Sequence, residues 1–524
     1  MTAQDQAGMK QYSTNDIVDA VVIGTGAGGA PLLARLALAG LKVVAIEAGK
    51  WWDPADFATD EKAQGGIYWQ GERISGGGTP TAFGGNNSGT GVGGSTLHWG
   101  AFVPRADARD LRIRTEFGVG ADWPLTAEEL LPYYVQVEGF LGVSGPEDYP
   151  WDPARRYPLP PVALNAPAQA MEKGFRALGL RTAEAPVAVV SRDYSQPGYP
   201  LRHACVNRGY CHQGCRNGAK ASMDVTYLPV AIGAGAEIRA ESFVLDIERD
   251  AAGLVTAVVY RHDGQDVRQR CRAVFLCGGA VETPRLLLNR GLANGSGLVG
   301  RNFMAHVATQ VWGTFAESMR MNKGFPASLI SEDLMRAPDA DYPGGYIVQS
   351  LGVVPVTFAS QVARGRKLWG KALVDYLDQY NYLGGIGMNG DCLPDERNAL
   401  TLSNEVDGFG VPKVLVRFSY GEAEKAMSAH GEKVMTEAWK AAGATDVWTF
   451  QRSAHVIGTC RMAGNERDGV VDSFGRSFEI PNLWICDNSV FPSSLAANPA
   501  LTIMALSLRT ADRFLSTPTL GEKS

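Results

Sequence analysis

At 524 residues the chain is too long for one simple core, so two domains are expected. With 45% hydrophobic and 20% charged residues the composition is that of an ordinary globular protein, which excludes a disordered or fibrous chain. The formal net charge of −6 leaves no basic footprint, so nucleic acid and anionic membrane are excluded as partners. No run of 18 or more apolar residues occurs, and the opening stretch MTAQDQAGMKQYSTND has neither an apolar export core nor an arginine pair; no transmembrane segment and a cytoplasmic location are expected.

The first informative stretch is IVDAVVIGTGAGGAPLLARLALAGLKVVAIEAG, residues 17–49. A β-branched apolar run ends directly on Gly24, Gly26 and Gly29 in the pattern G-x-G-x-x-G; helix formers follow, then a second strand over 42–46. The first glycine permits the tight turn, the second lets the backbone approach a pyrophosphate, and the third lets helix and strand pack closely. Glu47, 18 residues past Gly29, ends the second strand where a carboxylate can accept hydrogen bonds from ribose hydroxyls. The unit asks for a dinucleotide, FAD or NAD.

Residues 51–80 lack periodicity and are expected to form a loop excursion. Residues 83–100, FGGNNSGTGVGGSTLHWG, combine many glycines with the His98-Trp99 pair, which suggests backbone lying against a bulky ligand. A helix is expected from Thr126, a plausible N-cap, to about Phe140. Residues 157–167 read as a proline-rich linker and 186–191 as a strand. Cys205, Cys211 and Cys215 follow as C-x5-C-x3-C. Three readings stand for them: an iron–sulfur cluster with three protein ligands, zinc with His212 nearby, or three reduced thiols. The five other cysteines lie in apolar contexts, so no disulfide framework is expected.

Residues 237–248 and 256–261 read as paired strands around the turn at 251–253, and 273–288 as a buried strand, a glycine turn and a helix returning to the nucleotide sheet. From about 308 to 447 the texture changes to longer polar loops, alternation over 413–418, and a helix over 422–442 stopped by Gly443; this marks a second, substrate-side domain. Residues 482–492 form a strand ending on Asp487-Asn488, and a helix opens at Asn498. His455 lies at the junction between the two textures. No G-x-S-x-G stands between a strand and a helix, which argues against a nucleophilic hydrolase.

Six stretches in order, GTGAGG at 24–29, GVGGSTLHWG at 91–100, DWPLTAEELLPYY at 122–134, GGAVETPRLLL at 278–288, VGRNFMAH at 299–306 and the pair His455 and Asn498, resemble the glucose-methanol-choline (GMC) oxidoreductase family. The resemblance implies an α/β (α+β overall) chain with a Rossmann-like FAD-binding domain over 1–105, 200–308 and 452–524. The remaining residues, 106–199 and 309–451, would form an interleaved substrate domain on an antiparallel sheet with helices. It places Gly24, Gly26 and Gly29 on the FAD pyrophosphate, Glu47 on the adenosine ribose, and Val244 at the adenine. Gly93, Gly94, Ser95, His98 and Trp99 would lie along the flavin, with Asp487, Asn488, Pro499, Ala500 and Leu501 near the pyrophosphate and ring. His455 and Asn498 match the family's catalytic His/Asn pair.

The chemistry agrees with that pair. A neutral imidazole can take a hydroxyl proton as hydride leaves carbon for flavin N5, and an amide can orient the hydroxyl.

Two finer likenesses diverge. The pattern at 93–99 is similar to pyranose oxidases, whose corresponding histidine is bonded covalently to the flavin. The three-cysteine loop is similar to flavoprotein subunits of bacterial sugar dehydrogenases, where such a loop holds a three-iron iron–sulfur cluster feeding a cytochrome or other electron-acceptor protein. The resemblance thus implies oxidation of a small-molecule alcohol or sugar, by a dehydrogenase or by an oxygen-using oxidase. A lyase and a non-catalytic electron-transfer module are the remaining alternatives. Such subunits can be exported with a partner, so a periplasmic location stays open beside the cytoplasmic one.

Overall fold

The computed structural model describes residues 8–78 and 88–517; residues 83–87 of the glycine-rich stretch lie outside them. Strand β1 (Ile17–Ile23) lies between β2 (Val43–Ile46) and β6 (Gln265–Leu276), parallel to both, with Val21 facing Val44 on one side and Val274 on the other. Strand β3 (Glu237–Arg239) extends the parallel set beyond β2, and the short strand Leu483–Ile485 joins β6 in parallel. β4 (Ser242–Arg249) and β5 (Val255–His262) complete the sheet antiparallel, in the order β3-β2-β1-β6-β5-β4. Val18, Val21, Val22, Val43, Val44, Val274 and Phe275 are wholly buried, as expected of strands covered on both faces. Helix α1 (Gly29–Leu38) covers this sheet, and α2 (Gly279–Arg290) runs on from β6.

The expected strand over 237–248 is two strands. Glu241 takes φ +51° and turns the chain, so that β3 joins β2 while β4 pairs with β5. The expected strand over 186–191 is absent: Val187 and Val189 make only isolated bridges, to Phe102, Ser144 and Lys220. Those residues are apolar because they are buried, not because they belong to a ladder.

The second sheet is antiparallel. Its strands are β7 (Met304–Val307), β8 (Gln310–Thr314), β9 (Leu329–Ser331), β10 (Tyr346–Leu351), β11 (Leu383–Gly390), β12 (Thr445–Phe450) and β13 (Ser453–Ile457). They run β12-β8-β11-β10-β9, with Ala183–Glu184 on the edge and β7 bridging β11 to β13. Helix α3 (Pro355–Gly365) lays Phe358 against Trp312 of β8, ring centroids 4.9 Å apart. Helix α4 (Glu422–Ala442) packs Met435, Ala438 and Trp439 into a separate core with Met171 and Phe175 of the helix Ala166–Ala177. It ends at Gly443 in the left-handed conformation, as expected. The helix Ala127–Leu141 starts on a capping box of Thr126 and Glu129. The last helix, α5 (Ala500–Leu515), returns to the first sheet and fixes Arg35 of α1 through Asp512 at 2.7 Å. Among the described residues no helix is long and apolar enough to cross a membrane.

Candidate active site

A cavity open in part to solvent runs along the ends of the parallel strands. Gly24, Thr25, Gly26, Ala27 and Gly28 line it at the start of α1, Glu47 at the end of β2, Gly94 and Ser95 in the glycine-rich loop, and Val244 in β4. Asp487 and Asn488 line it as well.

The cavity is built largely of backbone. The amides of Gly26, Ala27 and Gly28 donate to nothing among the described residues, so three N–H groups at a helix start stand ready for an anion. A Cβ on Gly26 would meet only the Gly94 Cα, at 3.6 Å, and would therefore enter the space the cavity needs. On Gly29 the same atom would come within 1.9 Å of the Gly24 carbonyl oxygen, so that glycine closes the turn onto the helix. These features fit a bound dinucleotide pyrophosphate.

Glu47 does more than end a strand. Its carboxylate is buried and accepts from Thr25 N at 3.0 Å, Thr25 Oγ1 at 2.8 Å, Gly49 N at 3.0 Å and Gly91 N at 3.3 Å. Thr25 Oγ1 in turn accepts from Gly93 N at 3.1 Å. One carboxylate thus clamps the first glycine turn to the glycine-rich loop, while burial raises its pKa. Asp487 has a similar place on the other side: it accepts from Gly279 N at 2.8 Å and Thr283 Oγ1 at 2.6 Å, fixing the start of α2. Asn488 accepts from Ala280 N and donates to the Val456 carbonyl, beside His455.

His455 is placed by an irregularity. On β7 the neighbours Ala305 and His306 pair with Val456 and Ala454, so His455 is the surplus residue of a β-bulge, with φ +53°. A bulge in this conformation turns a side chain out of the ladder.

The His455 ring then makes two contacts. Nδ1 lies 2.9 Å from His306 Nδ1, and Nε2 lies 3.3 Å from Asn498 Nδ2. Asn498 Oδ1 accepts from Asn389 Nδ2 of β11 at 3.2 Å. Asn498 does not cap α5, whose N-cap is Pro499 without a side-chain bond; its amide is committed to the histidine. Pro499, Ala500 and Leu501 form the start of α5 just beyond it.

Proton positions follow from the partners. His306 Nε2 faces the carbonyl oxygens of Ser494 at 3.0 Å and Leu495 at 2.9 Å, and carbonyls only accept, so this nitrogen carries hydrogen. Burial holds the His306 pKa down to about 4, so the ring is neutral near pH 7 and its Nδ1 is an acceptor. His455 must then donate from Nδ1. Its pKa is also well below the ordinary imidazole value, through burial first and the nearby His306, Arg452 and His98 next. The outcome is a neutral ring whose lone pair sits on Nε2, facing the Asn498 amide. His306 closes the motif VGRNFMAH and has no role in the sequence reading; its apolar surroundings hide a partner 149 positions away.

The glycine-rich loop carries the second aromatic group. His98 packs on Tyr68 with ring centroids 4.7 Å apart, its Nε2 has no partner among the described residues, and burial pushes its pKa to about 3. Trp99 Nε1 is likewise without a partner. Lys220, wholly buried, donates to the carbonyls of Leu97 at 2.8 Å, Trp99 at 3.3 Å and Cys211 at 2.6 Å, and so ties this loop to the cysteine loop.

The three thiols of the cysteine loop lie within electrostatic reach of one another. Cys215 Sγ accepts from Lys220 N, Cys205 Sγ accepts from Asn207 N, and burial pushes the Cys211 thiol up to about 12. Among the described residues no group of three or more His, Cys, Asp or Glu is arranged to hold a metal ion. Neither the iron–sulfur nor the zinc reading of Cys205, Cys211 and Cys215 gains support.

Comparison with known proteins places the whole assembly. Models of the GMC oxidoreductase N- and C-terminal regions match residues 74–308 and 394–507. A 2-methyl-1,2-propanediol dehydrogenase of Mycolicibacterium austroafricanum is 30% identical, with 95% of each chain covered. The fructose dehydrogenase large subunit of Gluconobacter japonicus is 30% identical over 81% of this chain and 80% of its own. Among solved structures, a pyridoxine 4-oxidase from Mesorbium loti superposes with a TM-score of 0.65 at 16% identity, over 95% of this chain and 99% of the other, which is a likeness of fold. A formate oxidase does so at 0.67 and 14%, over 96% and 98%. With more than half of its length matched by the family models and relatives aligned along nearly all of it, the chain belongs to the GMC oxidoreductase family and is an FAD-dependent oxidoreductase acting on alcohol groups.

Proposed function

We propose that His455 Nε2 is the base that takes the hydroxyl proton of the substrate, with Asn498 orienting that hydroxyl. The carrying observation is the hydrogen-bond chain from the Ser494 and Leu495 carbonyls through His306, which leaves His455 with its lone pair on Nε2. FAD, when bound, supplies the acceptor for the hydride that leaves the carbinol carbon. The residues of the chain do the rest. Gly26, Ala27 and Gly28 would offer amides to the pyrophosphate, Glu47 and Thr25 hold the loop from Gly93 to Trp99 that would meet the flavin, and Val244 would meet the adenine. As a substrate enters, its hydroxyl takes the place of the Asn498 amide at Nε2 while the same amide turns to the oxygen. The proton then rests on an imidazolium whose Nδ1–H remains bonded to His306, so the charge forms without losing that partner.

The relatives include a diol dehydrogenase and a sugar dehydrogenase subunit, which supports small polyols and sugars as the substrate class. The test is anaerobic mixing of the flavin-loaded enzyme with a panel of such alcohols. Flavin bleaching in the wild type and its loss in His455→Ala, with FAD still bound, is the expected result; equal bleaching in both would refute the base. Reoxidation in air, together with iron and acid-labile sulfide analysis, separates an oxidase from a dehydrogenase that feeds a partner protein.

A further inference from the structure

Three residues before His455, and within electrostatic reach of its ring, Arg452 carries a guanidinium with no counter-charge among the described residues. Its carbonyl accepts from Ala308 N at 3.1 Å, which anchors the backbone between β7 and β8. Its Nε has one long bond, 3.4 Å to the Ser453 carbonyl, and no carboxylate pairs with it among the described residues. The side chain lies within electrostatic reach of His455, of Tyr420 and Tyr68, and of Arg364 at the end of α3. A partly buried cation facing another cation and no anion is costly, and proteins keep such a group where a ligand supplies the missing charge.

The wall beside it is lined with idle acceptors. Gln310 of β8 pairs in register with Phe450 on one side and Gly387 on the other, and Gln349 of β10 faces the same Gly387, so both glutamines lie on one face of the sheet. Asn389, two residues along β11 on that face, is the residue bonded to Asn498, so the face looks toward the catalytic pair. Helix α3 closes over Phe450 through Arg364, which stands 5.1 Å from the ring centroid, and Gln361 shares that helix face. The side-chain amide oxygens of Gln310, Gln349 and Gln361 are buried and accept no hydrogen bond among the described residues, although Gln310 is only 6% exposed and Gln361 only 3%. Acceptors left idle at such burial require donors that arrive with a ligand.

We propose that Arg452, with Gln310, Gln349 and Gln361, forms a subsite for a polyhydroxylated carboxylate: the guanidinium takes the carboxylate while the amide oxygens accept from the hydroxyls. This rests on the alcohol-oxidising reading of His455, since it names the substrate class of the same site. A planar guanidinium takes a carboxylate through two parallel bonds, a geometry that ammonium and amide groups lack.

The test is a titration of the oxidised, flavin-loaded enzyme, read as the perturbation of flavin absorbance, with matched pairs: gluconate against glucitol, and glycolate against ethylene glycol. The acid of each pair should bind at least about tenfold more tightly than its neutral counterpart, as one bidentate charged contact warrants. Arg452→Gln should erase that preference, and Arg452→Lys should keep part of it. Equal affinities within each wild-type pair, or an unchanged preference in Arg452→Gln, would overturn the subsite. Should Arg452→Gln fail to hold flavin, the wild-type pairs and Arg452→Lys decide. Flavin bleaching by the same compounds is scored separately. A clear acid preference with no bleaching by any alcohol would leave the subsite standing and count against His455 as base.

Discussion

The nucleotide cradle and the reaction chamber of this enzyme are made of different material. The cradle is backbone: Gly26, Ala27 and Gly28 present amides, the turns at 91–94 and 278–280 flank them with their own amides already bonded, and the side chains that matter, Glu47 and Asp487, work by holding those turns together. The chamber is side chains from far-apart segments: His306 on β7, Asn389 on β11, His455 on β13 and Asn498 before α5. A backbone site fails when an atom is added. A side-chain site fails when a heteroatom is removed.

That contrast can be broken in order of effect. Gly29→Ala should be the most severe change, because its Cβ would stand 1.9 Å from the Gly24 carbonyl oxygen, a backbone atom that cannot step aside, and 3.2 Å from Val22 Cγ1. Purified protein without flavin, or no soluble protein, is the expected outcome, read from the visible spectrum. His455→Ala should keep the flavin and lower the rate of its reduction by substrate by roughly 10²–10⁴-fold, the range for loss of a general base, in stopped-flow mixing. Loss of flavin in that variant would mean that the two regions are not separable.

His306→Phe sharpens the comparison because it touches neither flavin nor substrate. The ring keeps its volume but no longer accepts from His455 Nδ1, so the tautomer is free to shift. A fall of about tenfold in the rate of flavin reduction is expected, with a changed pH profile and little change in substrate affinity. The last effect is on stability and is confined to acid, being negligible near pH 7. An unfolded histidine titrates near 6.5 and buried His306 near 4, so the unfolded state binds the proton first and stability falls as pH drops from 6.5 toward 4. The loss is roughly 3 kcal/mol by pH 4, and the acid dependence of thermal unfolding should be shallower in His306→Phe.

The same contrast decides which parts of the molecule are legible in the amino-acid sequence. Glycine turns are local, so the strand-turn-helix-strand unit of residues 17–46 stands where the pattern puts it, and so does the N-cap at Thr126. His455 and Asn498 can be named through a family likeness, but their union cannot, because it depends on a bulge and on a register that no local pattern carries. His306 and Arg452 are invisible for that reason. The single strand expected over 237–248 fails for a related one: alternation continues through Glu241, and only its backbone shows that the chain changes neighbours there. The apolar stretch at 186–191 misleads because burial alone, without a partner strand, produces the same letters.

The bulge at His455 also bears on how this strand tolerates changes in length. Because the histidine is the surplus residue opposite Ala305 and His306, removing one residue between Ala454 and Val456 would let the two strands pair without interruption. Such a deletion would yield a more regular sheet and an inert enzyme. Single-residue deletions here should therefore be survivable for the fold and absent from any population selected for turnover, whereas the equivalent deletion in the first glycine turn should be lost from both.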